Sequence, residues 1–107
     1  MNHEQITSNM KAIFSSDDLK RVNVRENKNG LTYIDTDLHG LTRRQAEKFV
    51  KNIINVNRCA FILNAIHGFN HGTVLKEMIA ETKWSSRVVE SYCPVWNPGQ
   101  TFLTIAA

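Results

Sequence analysis

A mixed α/β sandwich is the fold class this sequence predicts, on three observations. Ala46, Phe49, Val50, Ile53 and Ile54 recur every three or four positions, the spacing of one helical face. Residues 59–66, CAFILNAI, form a mostly apolar run of strand length with little alternation, as suits an interior strand covered on both sides. Around these, strand-like and helix-like segments follow in the order strand, helix, strand, helix, strand, strand. A chain of 107 residues, 42% of them hydrophobic, can build one modest core.

Taken in chain order, Ile6, Met10, Ile13 and Phe14 fall at helical spacing, so residues 2–14 are read as a short amphipathic helix. Residues 15–18 are polar and read as a link. Residues 19–25 alternate loosely, Asn29-Gly30 is a turn signal, and residues 31–38 continue as a strand, so the two segments can pair as a hairpin. Thr42 and Gln45 have the spacing of a capping box at the head of a helix over residues 42–55. A second helix is expected over residues 73–83, with Val74, Leu75, Met78 and Ile79 facing inward. Strands follow at 87–93 and 101–105, separated by Pro94 and the Asn97-Pro98-Gly99 turn. The strand–helix–strand unit requires parallel pairing and a right-handed crossover. The expected architecture is therefore a two-layer sandwich, a β-α-β-α-β-β mixed sheet with an N-terminal extension of a short helix and a possible hairpin strand. Residues 1–18 form the extension and 19–107 the domain. The helices cover one sheet face, and the N-terminal helix is the spare element that could shield part of the other.

Composition narrows the function classes. No apolar run reaches membrane-span length, and the N-terminal residues lack a signal-peptide core, so the expected location is the cytoplasm. Cys59 and Cys93 fit no metal-finger spacing and read as buried thiols. The net charge of +3 is compatible with a polyanionic partner. Arg43, Arg44, Lys48 and Lys51 crowd one segment, either as a solvated helix face or as a basic patch.

Three of the four histidines fall in two short stretches, Asp37-Leu38-His39-Gly40 and His67-Gly68-Phe69-Asn70-His71-Gly72. Each lies where a strand ends and a helix is about to begin. In a parallel pair those junctions emerge at the same carboxyl edge, where ligands of open α/β sheets collect. Glycine permits the positive φ of a chain reversal, and a helix N-terminus offers free N–H groups to phosphate. Arg43 and Arg44 oppose the macrodipole at such a terminus unless a phosphate rests there. Two imidazoles flanking a phosphodiester can act as base and acid when an RNA 2′-hydroxyl attacks the adjacent phosphorus. Asp35, Asp37 and His39 share one face in strand geometry, so Asp37 can orient His39 or bond backbone N–H groups of the turn. His71 is a second candidate or a solvent-exposed bystander. Phe69 stacks on a base or folds onto the core, and Trp84 and Trp96 read as core and turn packing. Asp37, His39, His67 and His71 also compose a possible metal set, although their spacing fixes no geometry. The favoured chemistry needs no cofactor; a divalent ion, Mg or Mn, belongs to the alternative.

The block DLHGLTRRQAEKFV, followed by AIHGFNHGTVLKEMI, resembles the two signature regions of small MutS-related (Smr) domains. The resemblance extends over about residues 33–105. Asp37, His39 and Gly40 occupy the defining positions of the first motif, with Thr36 in place of a leucine. His67, Gly68 and Gly72 fit the second, and Lys76 stands for the basic residue that follows its leucine. This likeness implies a two-layer α/β sandwich, binding of RNA or DNA, possible association with the ribosome, and in several members a nicking endonuclease activity. The candidate catalytic residues are Asp37, His39 and His67. The phosphate-binding set is Gly40, Arg43, Arg44, Lys48, Gly68, Phe69, His71, Gly72 and Lys76. The second loop departs from the family pattern, with His71 and an extra residue before the helix. A non-catalytic nucleic-acid or ribosome-binding module is therefore the alternative function.

Overall fold

A computed structural model of the chain describes residues 3–68 and 73–107. Its elements are α1 (His3–Lys11), α2 (Ser16–Leu19), β1 (Val22–Glu26), β2 (Thr32–Asp37), α3 (Arg43–Val56), β3 (Phe61–Ile66), α4 (Val74–Glu81), β4 (Val88–Tyr92) and β5 (Gln100–Ile105). The five strands form one sheet in the order β1-β2-β3-β5-β4. β2 and β3 pair in parallel, and the other neighbours are antiparallel. The hairpin strand joins that sheet as β1, with Val24 opposite Ile34.

The helical layer packs on one sheet face. Ile34 from β2, Phe61, Leu63 and Ala65 from β3, and Leu103 and Ile105 from β5 meet Ala46, Phe49, Val50, Ile53 and Ile54 of α3 and Met78 and Ile79 of α4. The apolar stripe read from the sequence is thus the buried face of α3. Its capping box is present: Gln45 N–H donates to Thr42 Oγ1 at 3.2 Å, and Thr42 N–H donates to Gln45 Oε1 at 3.0 Å.

Three local expectations are corrected. Residues 15–18 are not merely a link, because Ser15 Oγ caps the single-turn helix α2 by accepting Asp18 N–H at 3.2 Å, and two aspartates favour its positive end. Val74 points to solvent, 55% exposed, so α4 buries a narrower stripe than its sequence suggests. The N-terminal helix does not shield the second sheet face. α1 lies with the other helices: Ile6 and Met10 are buried in the common core, Asn9 Nδ2 donates to Asn57 Oδ1 at 3.1 Å, and the following Phe14 stacks on Phe49 at 4.7 Å. Apolar area decides this, since the residues of α1 that can be buried match the edge of the α3 stripe.

The second face carries its own polar and aromatic network. Asp35 accepts from Arg25 Nε at 2.7 Å and from Asn64 Nδ2 at 3.0 Å. The Arg25 guanidinium lies over the Tyr33 ring at 4.2 Å, and Tyr33 meets Phe102 edge-on at 6.4 Å. Arg87, between α4 and β4, ties the far end of the layers together through backbone carbonyls of α3, the α3–β3 loop and the C-terminal segment.

Candidate functional site

Parallel pairing of β2 and β3 brings the two histidine-bearing junctions to one edge. Asp37 lies opposite Ile66 in the register, and Leu38 N–H donates to the Ile66 carbonyl at 2.9 Å just beyond it. His39 and His67 therefore both follow strands that end side by side. The turns there need glycine: Gly40 has φ +80° and Gly68 φ +72°, although an added Cβ would meet nothing within 4 Å at either among the described residues. Backbone conformation alone, and not crowding, accounts for the residue type.

The two histidines are in unlike surroundings. His39 lies past the end of β2, with its side chain 74% exposed. Its Nδ1 is 2.5 Å from Asp37 Oδ1, and the same oxygen accepts the His39 backbone N–H at 3.1 Å. Both roles weighed for Asp37 are thus filled at once. An ionised carboxylate can only accept, so this contact holds a proton on Nδ1, and in the neutral ring Nε2 is then the nitrogen with the free lone pair. Asp35 does not join this pair, being held by Arg25 and Asn64 instead.

His67 is 7% exposed. Its Nδ1 is 2.9 Å from the Gly68 carbonyl and its Nε2 is 2.9 Å from Thr101 Oγ1. The carbonyl requires a donor, so Nδ1 carries the proton and Thr101 donates to Nε2. Burial pushes the imidazole below its usual pKa; the Gly68 hydrogen bond opposes this, and the charge of Lys76 reinforces it. Backbone bonds from His67 N–H and Gly68 N–H to the Gly99 carbonyl, both 3.0 Å, fasten the same corner to the β4–β5 loop. The structure thus brings His39 and His67 to one edge, one ring open to solvent and the other enclosed.

The basic residues also divide. Arg43 and Arg44 open α3, whose first turn holds no acidic residue. Arg43 NH2 is committed to Glu81 Oε2 at 3.1 Å, whereas exposed Arg44 has no ion pair among the described residues. Lys48 is exposed one turn further along, beside a groove between α3 and residues 13–18 that Ile13, Phe14, Leu41 and Phe49 help to line. Phe69, His71 and Gly72 lie outside the described residues.

Sequence reading missed Arg21, whose NH1 donates to the carbonyls of Asp37 and His39 at 3.1 and 2.9 Å. That guanidinium fixes the loop bearing His39. Its distance in sequence from the histidine motif hid the role, which the β1–β2 pairing creates. Thr101 was equally silent, because only the β3–β5 pairing sets it against His67. Among the described residues no group of three His, Cys, Asp or Glu side chains gathers to hold a metal ion, and no helix is long and apolar enough to cross a membrane. The chain matches no known protein-family model and no curated protein sequence.

Proposed function

We propose that this protein binds single-stranded RNA at the carboxyl edge of its sheet and nicks it, with His39 as the general base. The observation that carries the reading is the Asp37–His39 pair: an exposed imidazole, held in one tautomer by a carboxylate, at the mouth of a helix whose first turn is basic. Nε2 of His39 takes the proton of a ribose 2′-hydroxyl as O2′ attacks the adjacent phosphorus. The P–O5′ bond breaks, and O5′ takes a proton from water. The products are a 2′,3′-cyclic phosphate and a 5′-hydroxyl. The substrate supplies its own nucleophile, so no activated water is called for. The N-terminus of α3 and Arg44 favour the phosphate charge.

His67 serves this scheme best as a positioning residue. To donate a proton it would first have to be protonated and released from Thr101, and burial opposes the charged ring. The resemblance to Smr domains supports the polymer class and does not choose between RNA and DNA. One observation favours the second reading, a binding module without cleavage: only one of the paired histidines is open to a substrate.

Cleavage of labelled single-stranded RNA and DNA, with chelator and with added magnesium or manganese, tests the proposal. Wild-type protein is expected to cut RNA with chelator present and to leave cyclic-phosphate ends. His39→Ala should lower turnover by roughly 10²–10⁴-fold with binding retained, and Asp37→Asn by less, since an amide still contacts the ring but carries no charge. Binding without cleavage by wild type selects the module. Chelator-sensitive cleavage leaving 5′-phosphates refutes the His39 mechanism.

A further inference from the structure

Trp96 is 76% exposed and Val95 is 95% exposed, an unusual state for two large apolar side chains side by side. Their position is built, because Asn97 N–H donates to the Pro94 carbonyl at 3.2 Å, closing a four-residue turn with Val95 and Trp96 at its corners. Such corners are ordinarily filled by Gly, Pro, Asn, Asp or Ser. The turn is fixed at its base: Pro94 and Gly99 are buried, and Gly99 N–H donates to Asn97 Oδ1 at 3.3 Å. The stacked and edge-on ring pairs of the described residues, Phe14–Phe49 and Tyr33–Phe102, leave Trp96 out. The other tryptophan behaves oppositely, since Trp84 donates its indole N–H to the Ile79 carbonyl at 2.9 Å and packs on the core. The expectation that Trp96 packs within its turn is therefore corrected.

Topology decides what this turn faces. β4 runs parallel to β3, because each is antiparallel to β5, so the β4–β5 turn emerges at the carboxyl edge that carries His39 and His67. Gly99, three residues from Trp96, accepts the N–H groups of His67 and Gly68. Three residues span at most about 10 Å of extended chain, which sets Trp96 close to that corner. Tyr92, at the end of β4, is 52% exposed beside the same turn. Residues 92–100 carry no charged side chain, whereas Arg21 and Arg44 adjoin the other end of the edge. A neutral aromatic lip on one flank and cations on the other suit a strand with neutral bases and an anionic backbone.

We infer that Trp96 is a base-stacking platform for single-stranded RNA, receiving a base next to the phosphate held at the His39 edge. This rests on the proposed RNA-binding function and adds a subsite to it. Stacking also gives the protein a preference for unpaired RNA, because duplex bases present no free face to the ring.

The test uses the full chain and a short single-stranded 2′-O-methyl oligonucleotide, which is not cleaved by 2′-oxygen attack. Trp96→Ala is expected to weaken binding roughly 5- to 100-fold, and Trp96→Phe much less. Wild-type tryptophan fluorescence should be quenched on titration, and Trp96→Phe should abolish the quench while Trp84 still emits. An oligonucleotide with an abasic residue at the stacked position should bind wild type as weakly as the intact one binds Trp96→Ala. If the intact oligonucleotide binds with strong salt dependence but Trp96→Ala leaves affinity unchanged, the platform is refuted and the RNA-binding function stands. If wild type binds no oligonucleotide, both fall. A concentration-dependent dimer in sedimentation that Trp96→Ala disperses would assign the lip to a second copy and overturn the stacking role.

Discussion

Replacing Arg87 by methionine should cost stability out of proportion to its partly buried position. Its Nε donates to the Ala106 carbonyl at 2.8 Å, NH1 to Ile54 at 2.6 Å, and NH2 to Asn57 at 2.8 Å and Cys59 at 2.9 Å. Those carbonyls belong to the last turn of α3, the loop into β3 and the segment after β5, so one planar fork joins three parts of the chain. The charge also lies at the negative end of the α3 dipole. Hydrogen bonds to a charged group contribute about 1.5–3 kcal/mol each, which would give a gross sum near 6–12 kcal/mol for four. Water can reach part of this cluster and satisfy some carbonyls, and methionine keeps the packing of the aliphatic stem. A net loss of about 3 kcal/mol is the reasoned outcome. For a domain of this size that corresponds to roughly 10–20 °C in Tm. Urea unfolding followed by far-UV circular dichroism, with the m-value held constant, measures it. Arg87→Lys should recover less than half, because one ammonium cannot span the three segments. A loss below about 1 kcal/mol for Arg87→Met would refute the argument that this fork clamps the layers.

The remaining predictions concern the edge. Arg44→Ala should weaken binding to single-stranded RNA and flatten its salt dependence more than Arg43→Ala, because Arg43 is held by Glu81. Equal effects in filter binding across a salt series would show that this ion pair yields to phosphate. For His67, burial lowers the folded pKa below the unfolded value near 6.5, so the unfolded chain binds the proton more readily. The stabilisation from a neutral His67 is thus complete above the unfolded pKa and declines as pH falls through it toward the folded value. His67→Gln should flatten that decline in urea titrations at stepped pH, and an unchanged slope would show that other groups cause it. His67→Gln should also retain more nuclease activity than His39→Ala if His67 positions the corner and does not transfer protons.

The sequence by itself determined the elements other than the single-turn α2, their order and the edge at which the histidine motifs meet. Period-3.6 burial in α3, the apolar β3 run, the Asn-Gly turn and the capping box are local or near-local signals, set by backbone geometry and solvent exclusion, and they survive folding unchanged. The shared edge followed from the parallel β2–β3 pair, which a short helical crossover requires. Tertiary structure decided what long-range contacts control. It set α1 in the same layer as α3, because burial of Ile6 and Met10 depends on a neighbour's shape and not on their own spacing. It enclosed His67 against Thr101 and left His39 in solvent, a distinction invisible to two similar His-Gly motifs because exposure belongs to the surroundings of a side chain. It set Arg21 across two carbonyls of the His39 loop and turned Trp96 outward. Residue type and spacing reveal which groups can do chemistry, whereas solvent access and hydrogen-bond partners, which decide which of them are free to do it, are fixed only when distant strands pair.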